Sequence, residues 1–285
     1  MITAVLGVLG ALTLWFGAVL GKDFSDNKEN LNPNNSWGKV LGIGFVTDFF
    51  DTLGIGSFAP TTALFKFMKQ TEDRVLPGTL NVSHTIPVVL EAFIFIKVIN
   101  VEPVTLISML AAATIGAYAG AGFISKMDEK KIQMFMAVAL LVTAGLMIAG
   151  QVGIMPGGGE AIGLTGGKLI AAVVGNFILG ALMTAGIGLY APCMALIYVL
   201  GMSPAVAFPI MMGSCAFLMP VASVKFIKEG AYDRRAAVGV TIGGVVGVII
   251  AAYIVKSLPL NVLRWLVDGV ILYTSYTLFK SASEK

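Results

Sequence analysis

Residues 54–64 read Gly54-Ile55-Gly56-Ser57-Phe58-Ala59-Pro60-Thr61-Thr62-Ala63-Leu64. Residues 186–196 read Gly186-Ile187-Gly188-Leu189-Tyr190-Ala191-Pro192-Cys193-Met194-Ala195-Leu196. Seven of the eleven positions are identical. Chance matches between apolar stretches recover Ala, Leu and Gly, but rarely hold a proline and two glycines in register. The correspondence extends outward at an offset of about 130 residues, a period that marks an internal duplication. Ser83 falls opposite Ser214, Gly116 opposite Gly247 and Ala121 opposite Ala252.

Each copy lies in the middle of an apolar stretch too long for one simple crossing. Residues 40–69 as one helix would measure about 45 Å, against a hydrocarbon core of about 30 Å; residues 168–200 raise the same difficulty. Gly54 and Gly56 permit backbone angles that stop a helix, and Pro60 suits the first turn of a new one. Ser57 is placed to act as N-cap, with Thr61 and Thr62 adding hydroxyls in the next turn. The same geometry is expected at Gly186, Gly188 and Pro192. Each stretch is therefore expected to break midway, leaving a half-helix that begins inside the membrane.

The rest of the chain agrees with a membrane setting. Of 285 residues, 57% are hydrophobic and 12% charged, where soluble domains carry about 25% charge. Segments 2–21, 79–97, 101–125, 132–150, 203–224, 236–255 and 260–279 each come close to the roughly 20 apolar residues that a spanning helix needs. Lipid leaves only helices or a closed barrel as spanning structures, and continuous Gly- and Ala-rich apolar runs specify helices. The net charge of +3 comes from basic residues between the apolar segments, which sets orientation and gives no nucleic-acid signal. Cys193 and Cys215 both fall inside apolar segments, which argues against a disulfide framework. Residues 2–21 lack a basic leading region and a clear cleavage site, so they read as a retained helix.

Basic residues choose between topologies, because positive loops stay cytoplasmic. With nine simple crossings the 19 Lys and Arg divide 11 to 8, which decides nothing. If both long stretches enter, break and return, 15 share one side, leaving only Lys97, Lys168, Lys256 and Arg264 on the other. Loops 66–74 and 126–131 are then basic while their counterparts 201–203 and 256–260 are nearly neutral; the reverse holds for 97–102 and 225–235. The expected fold is an all-α polytopic membrane protein of two inverted-topology repeats. Each repeat is a broken, re-entrant hairpin plus three transmembrane helices, and one extra N-terminal helix stands outside them. The boundaries are helix 1–21, cytoplasmic linker 22–39, repeat 40–150, external connector 151–167 and repeat 168–285. The N-terminus is expected outside and the C-terminus in the cytoplasm, with the protein in the cytoplasmic (inner) membrane.

Two half-helix N-termini inside a membrane offer free N–H groups and positive dipole ends, a natural place for an anion. Glycines that merely allow close packing, and prolines that merely kink, are the plainer alternative. The duplicated break favours a binding site. Expected substrate contacts are Gly54, Gly56, Ser57, Pro60, Thr61, Thr62, Gly186, Gly188, Tyr190, Pro192 and Cys193. Asn81, Ser83, His84, Ser214 and Cys215 join them from the helices that follow. Ionisable residues at depth are costly and mark ion pathways. Asp48 and Asp51 share a helix face and, with Glu91, are candidates for proton or sodium coupling; the alternative is that the aspartates face interfacial water. Glu91 has no acidic counterpart in the second repeat. His84 is the sole histidine, so neither a multi-histidine metal centre nor a cofactor is expected.

The duplicated Gly-x-Gly…Pro break, the Ser-containing helix after it and the helices of Gly116 and Gly247 together resemble the TauE/SafE (sulfite exporter, DUF81) family, over residues 38–279. That resemblance implies a bacterial or archaeal inner-membrane transporter of small anions, notably sulfite and organosulfonates. The first break is shorter in glycine than the family's usual run, and Asp48 and Asp51 stand where small or apolar residues are more usual. Carboxylates there repel an anion unless protonated or paired with a cation. A membrane enzyme is disfavoured. The chain lacks a His-Glu-x-x-His motif, a Gly-x-Ser-x-Gly elbow and any arginine near Gly54 or Gly186. An anion channel, or a carrier for another small organic solute, is the alternative. The expected partners are a small anion, the bilayer, and H+ or Na+, with a homodimer left open and no nucleic acid.

Overall fold

Helix starts and stops follow the capping residues and the glycines. The computed structural model describes residues 2–95, 100–155, 158–253 and 260–284. Lys97, Gly157, Lys256 and Lys285, and the loop ends read around them, lie outside the described residues. The described residues form eleven α-helices and no strand. These are α1 (Ile2–Asp26), α2 (Trp37–Thr52), α3 (Phe58–Met68), α4 (Leu76–Phe95), α5 (Pro103–Ile124) and α6 (Glu129–Gln151). The second half contributes α7 (Gly166–Met183), α8 (Tyr190–Val199), α9 (Pro204–Lys228), α10 (Arg234–Tyr253) and α11 (Leu260–Ser283). Among the described residues α1, α5, α6, α7, α9 and α10 are long and apolar enough to cross a membrane. The protein is a polytopic helical membrane protein. Helix α1 continues through Asp26, into the stretch read as linker, and α2 starts at Trp37, before residue 40.

Several helix starts use the chemistry of orphan N–H groups. Glu102 accepts from the N–H groups of Val104 and Thr105 at 2.9 and 2.7 Å, just ahead of Pro103 at the start of α5. These bonds hold its carboxyl below the usual carboxylate range. Asp128 accepts from the Lys131 N–H at 2.9 Å ahead of α6, and Ser203 caps α9 beside Pro204. The connector before α7 is fastened to the same end of α5. Glu102 N–H donates to Ile162 O at 2.9 Å, and Leu164 N–H donates to Thr105 Oγ1 at 2.9 Å.

Both long stretches are broken. Helix α2 stops at Thr52, and Gly54 and Gly56 follow at φ +87° and +91°. Gly54 N–H donates to Asp51 O at 2.8 Å and Ile55 N–H to Phe50 O at 3.1 Å, closing the helix end. Pro60 then sits in the first turn of α3. In the second copy Gly186 turns the chain at φ +96°. Two local expectations need correction. Gly188 does not take a left-handed angle, so one glycine suffices for that break. Ser57 makes no capping bond, since its hydroxyl is used by Asp51.

Helix pairings come in equivalent sets. With the duplication offset, α2–α6 correspond to α7–α11. Helix α2 lies along α10 as α7 lies along α5; α4 packs on α10 as α9 packs on α5; α3 meets α11 as α8 meets α6. The contacts α4–α9 and α6–α11 each join a helix to its own counterpart. The same close approach recurs in both halves. A methyl on Gly116 would lie 2.0 Å from Phe177 O, and one on Gly247 would lie 2.4 Å from Phe45 O. Positions 45 and 177 are themselves counterparts. Helix α1 stands apart from this scheme and packs on α9 and α4. The chain after α1 is anchored by polar contacts. Arg234 and Tyr232 bind Asp23, while Asn32 and Asn35 donate to Asp233.

Candidate functional site

The two breaks meet. Gly56, Ser57, Phe58 and Ala59 from the first and Gly188, Leu189, Tyr190 and Ala191 from the second line one small cavity. These are corresponding positions of the two copies, so the N-terminal tips of α3 and α8 face a common space. Its remaining walls are Asp51, Ile55, Val88, Thr143, Met147, Met183 and Cys215, with no Lys or Arg among them. The cavity holds about 40 Å³, room for two or three waters or one small ion, where a single water needs about 10–15 Å³.

Three fully buried carboxylates tie into the tips. Asp51 Oδ2 accepts from Ser57 Oγ at 2.9 Å. Glu91, from α4, accepts from Thr52 Oγ1 at 2.8 Å on one oxygen and from the Tyr190 hydroxyl at 3.1 Å on the other. It therefore joins the end of α2 to the tip of α8. Asp48 Oδ1 lies 2.7 Å from His84 Nδ1, and His84 Nε2 lies 3.0 Å from Thr61 Oγ1. An imidazole donating from Nδ1 and accepting at Nε2 satisfies both contacts. Asp48 Oδ2 and Asp51 Oδ1 have no hydrogen-bond partner. Neither aspartate faces interfacial water, because both are buried.

Of the residues expected to contact substrate, Gly56, Ser57, Gly188, Tyr190 and Cys215 reach the cavity wall. His84 and Thr61 stand behind it, bound to each other, and Gly54 lines an adjoining vestibule. Pro60, Gly186 and Pro192 shape the turns. Three expected donors are turned onto their own helices: Thr62 Oγ1 donates to Phe58 O, Asn81 Nδ2 to Pro77 O and Ser83 Oγ to Leu80 O. Short hydroxyl and amide side chains satisfy the carbonyl of the preceding turn before they reach across a helix. Ser214 and Cys193 are likewise engaged, both with Asn176. Asn176 was missed by sequence reasoning, although a lone amide in the apolar run of α7 is itself a signal. Thr143, Met147, Met183 and Val88 were also missed, since nothing in their local pattern separates them from packing residues.

The tips occupy corresponding positions and differ in chemistry. At the duplication offset Asp51 corresponds to Met183, Asp48 to Gly180, Glu91 to Ala222 and His84 to Cys215. All the carboxylates and the imidazole at the tips thus come from the first copy. Beyond the cavity, Gly54, Ile55, Met147, Gln151, Tyr190, Met194 and Tyr198 help line a vestibule of about 420 Å³ between α6 and α8. A second hollow, of about 720 Å³, lies between α3 and α11, lined by Ala63, Lys66, Tyr273 and Thr277 among others. Lys66 corresponds to Tyr198 and Thr277 to Leu146, so the two hollows are counterparts. Only the first shares wall residues with the central cavity.

The family model described as Sulfite exporter TauE/SafE matches residues 1–147, just over half of the chain. The match takes in α1, the first break and the helices up to α6. No curated protein and no solved structure matches the chain.

Proposed function

The chain belongs to the sulfite exporter TauE/SafE family, and we propose that it is a secondary transporter for a small anion. Sulfite or another sulfur oxyanion, including an organosulfonate, is the proposed cargo, crossing the cytoplasmic membrane by alternating access. Convergence of two half-helix N-termini on one cavity carries the reading. The N–H groups of Phe58 and Ala59 and of Tyr190 and Ala191, on the cavity wall ahead of Pro60 and Pro192, supply donors at the positive dipole ends. With no Lys or Arg on the wall, they are the main attraction for an anion. Inverted-repeat transporters place their sites at such breaks. Coupling to H+ or Na+ is assigned to the buried carboxylates.

Two hollows on counterpart faces support alternating access. Under the charge-derived orientation the α6–α8 vestibule opens outward and the α3–α11 hollow opens inward. The conformation described is then outward-facing, and exchange of the two connections releases the cargo inside. Family membership speaks for transport rather than catalysis.

The test is thermal stabilisation of the purified protein across sulfite, thiosulfate, sulfoacetate, taurine, sulfate and neutral amino acids, at two pH values and with or without sodium. Selective stabilisation by sulfur oxyanions, lost when Ala191→Leu fills the cavity, is expected. Stabilisation by neutral solutes or cations alone would overturn the substrate class. Flux in proteoliposomes that fails to saturate would favour a channel.

A further inference from the structure

An anion held at the tip of α8 faces Asp51 across the same cavity. Asp51 is buried, lines the cavity and keeps Oδ1 without a partner. The titratable groups around it are Asp48 on its own helix, His84 and Glu91 on α4, Tyr190 and Cys193 on α8, and Cys215 on α9. Helix α3 presents Ser57. Helix α10, packed along α2, has Arg234 and Arg235 only at its start and Tyr253 at its end. The one group here able to become a cation is His84, and it is committed to Asp48.

Asp51 therefore has no counter-cation. A buried carboxylate without one is neutralised rather than left charged. Two neutralising species are available, a proton or a sodium ion. A hard cation takes several oxygens, while the cavity wall offers one free carboxylate oxygen, Asp51 Oδ1; the other unpartnered one, Asp48 Oδ2, is not on that wall, and both Glu91 oxygens are already engaged by hydroxyls. One free oxygen fits one proton.

We infer that Asp51 works as a neutral carboxylic acid that donates its Oδ1 hydrogen to the bound oxyanion, so that anion and proton are taken up together. This rests on the anion-carrier reading and names the coupling ion within it. The step is a simple protonation: the carboxylate takes H+ from the open side, and the new O–H hydrogen-bonds to an oxygen of the cargo. No covalent bond to the cargo forms. After the cavity opens to the other side the anion departs and the proton follows it. An ionised Asp51 would repel the anion, so proton and anion each favour the binding of the other. A neutral acid acting as an oxyanion donor is an established chemical role for a carboxyl in an apolar site.

The test uses the purified full-length protein with methanesulfonate and sulfate as probes, since neither changes charge over the working pH range, whereas sulfite does. Calorimetric titration over a pH series, in buffers of different ionisation enthalpy, gives affinity and the protons taken up per anion bound. Expected are an affinity that falls about tenfold per pH unit along the alkaline limb, and uptake approaching one proton per anion. Asp51→Asn keeps an N–H donor, so it should bind with flat pH dependence and take up no proton. Wild-type binding without a pH slope or proton uptake overturns the inference and leaves the carrier reading standing. Affinity that rises with pH also overturns it, since the anion would then be held best when Asp51 has lost its proton. A pH slope that survives in Asp51→Asn moves the proton elsewhere and is equally fatal. Absence of any anion binding at any pH overturns the inference and the carrier reading together. Should Asp51→Asn not fold, the wild-type proton count decides alone.

Discussion

Replacing His84 by alanine measures what the buried chain Asp48–His84–Thr61 contributes. Asp48 Oδ2 already lacks a partner, and removing the imidazole strips the 2.7 Å contact from Oδ1 as well. Thr61 Oγ1 loses its 3.0 Å partner in the same stroke, and Phe58 loses a ring whose centroid lies 5.7 Å from its own. If Asp48 and His84 form an ion pair, the variant leaves an uncompensated buried charge, at about 3–5 kcal/mol. If the pair is neutral, the loss is two intramembrane hydrogen bonds, together about 1–2 kcal/mol. With roughly 2 °C per kcal/mol for a chain of this size, thermal unfolding in detergent should shift down by about 6–10 °C in the first case and by about 2–4 °C in the second. Adding Asp48→Asn removes the charge, so the double variant should recover most of the larger loss and little of the smaller one. Unchanged stability in His84→Ala would refute the reasoning. A double variant whose loss equals the sum of the two singles would exclude the ion pair. A fall in anion affinity at unchanged stability would restore His84 to the role of direct substrate donor.

Three further outcomes follow from the packing. Gly116→Ala and Gly247→Ala each place a methyl 2.0 and 2.4 Å from a carbonyl oxygen and should each cost about 1–3 kcal/mol in unfolding experiments; Gly145→Ala, with nothing within 4 Å, should be neutral or slightly stabilising. Tyr190→Phe removes the 3.1 Å donor to Glu91, and leaving that buried oxygen unpartnered should cost about 1–3 kcal/mol, read as a lower unfolding temperature that Glu91→Gln does not worsen. Glu102 has its carboxyl held low by the N–H groups it caps. Its contribution is therefore full above the ordinary glutamate range and lost as pH falls through the folded-state value. Hydrogen-exchange protection at Val104 and Thr105, taken relative to the intrinsic exchange rate at each pH, should fall on acidification in the wild type and be low at all pH values in Glu102→Ala.

The breaks were legible because proline and glycine act on the backbone directly. Gly54, Gly56, Gly186 and Pro60 turn or start helices whatever surrounds them, and the duplicated motif made the reading redundant. Family and helical class followed from the same residues. Side-chain roles were less legible for a physical reason. Asn81 and Ser83 were read as donors into the central space, yet each had a carbonyl one turn back within reach, and the nearer partner won. Ser57 went the other way, giving its hydroxyl to Asp51 across the break; no local rule anticipates a bond that exists only once the chain has folded back. Glu91 was identified as ionisable and deep, but its partners Thr52 and Tyr190 lie 39 and 99 residues away, beyond any periodicity.

Two converging half-helix N-termini both favour an anion, and chemically equal tips would add no titrating group to govern when it binds. The tips here are unequal. Asp48, Asp51, His84 and Glu91 all come from the first copy, opposite Gly180, Met183, Cys215 and Ala222 in the second. Under the carrier reading this divides the labour, with amides of α8 drawing the anion and carboxyls around α3 governing when it is tolerated. Glu91 then has a place that neither copy provides alone, since its two oxygens bind the end of α2 and the tip of α8 at once. A change in the position of α8 has to stretch the Tyr190 bond. A change of charge at Asp51 is felt by Glu91, because both carboxyls are buried together with little water to screen them. Glu91 thus ties the charge at Asp51 to the position of α8, which makes it the place where loss of coupling without loss of anion binding should be sought.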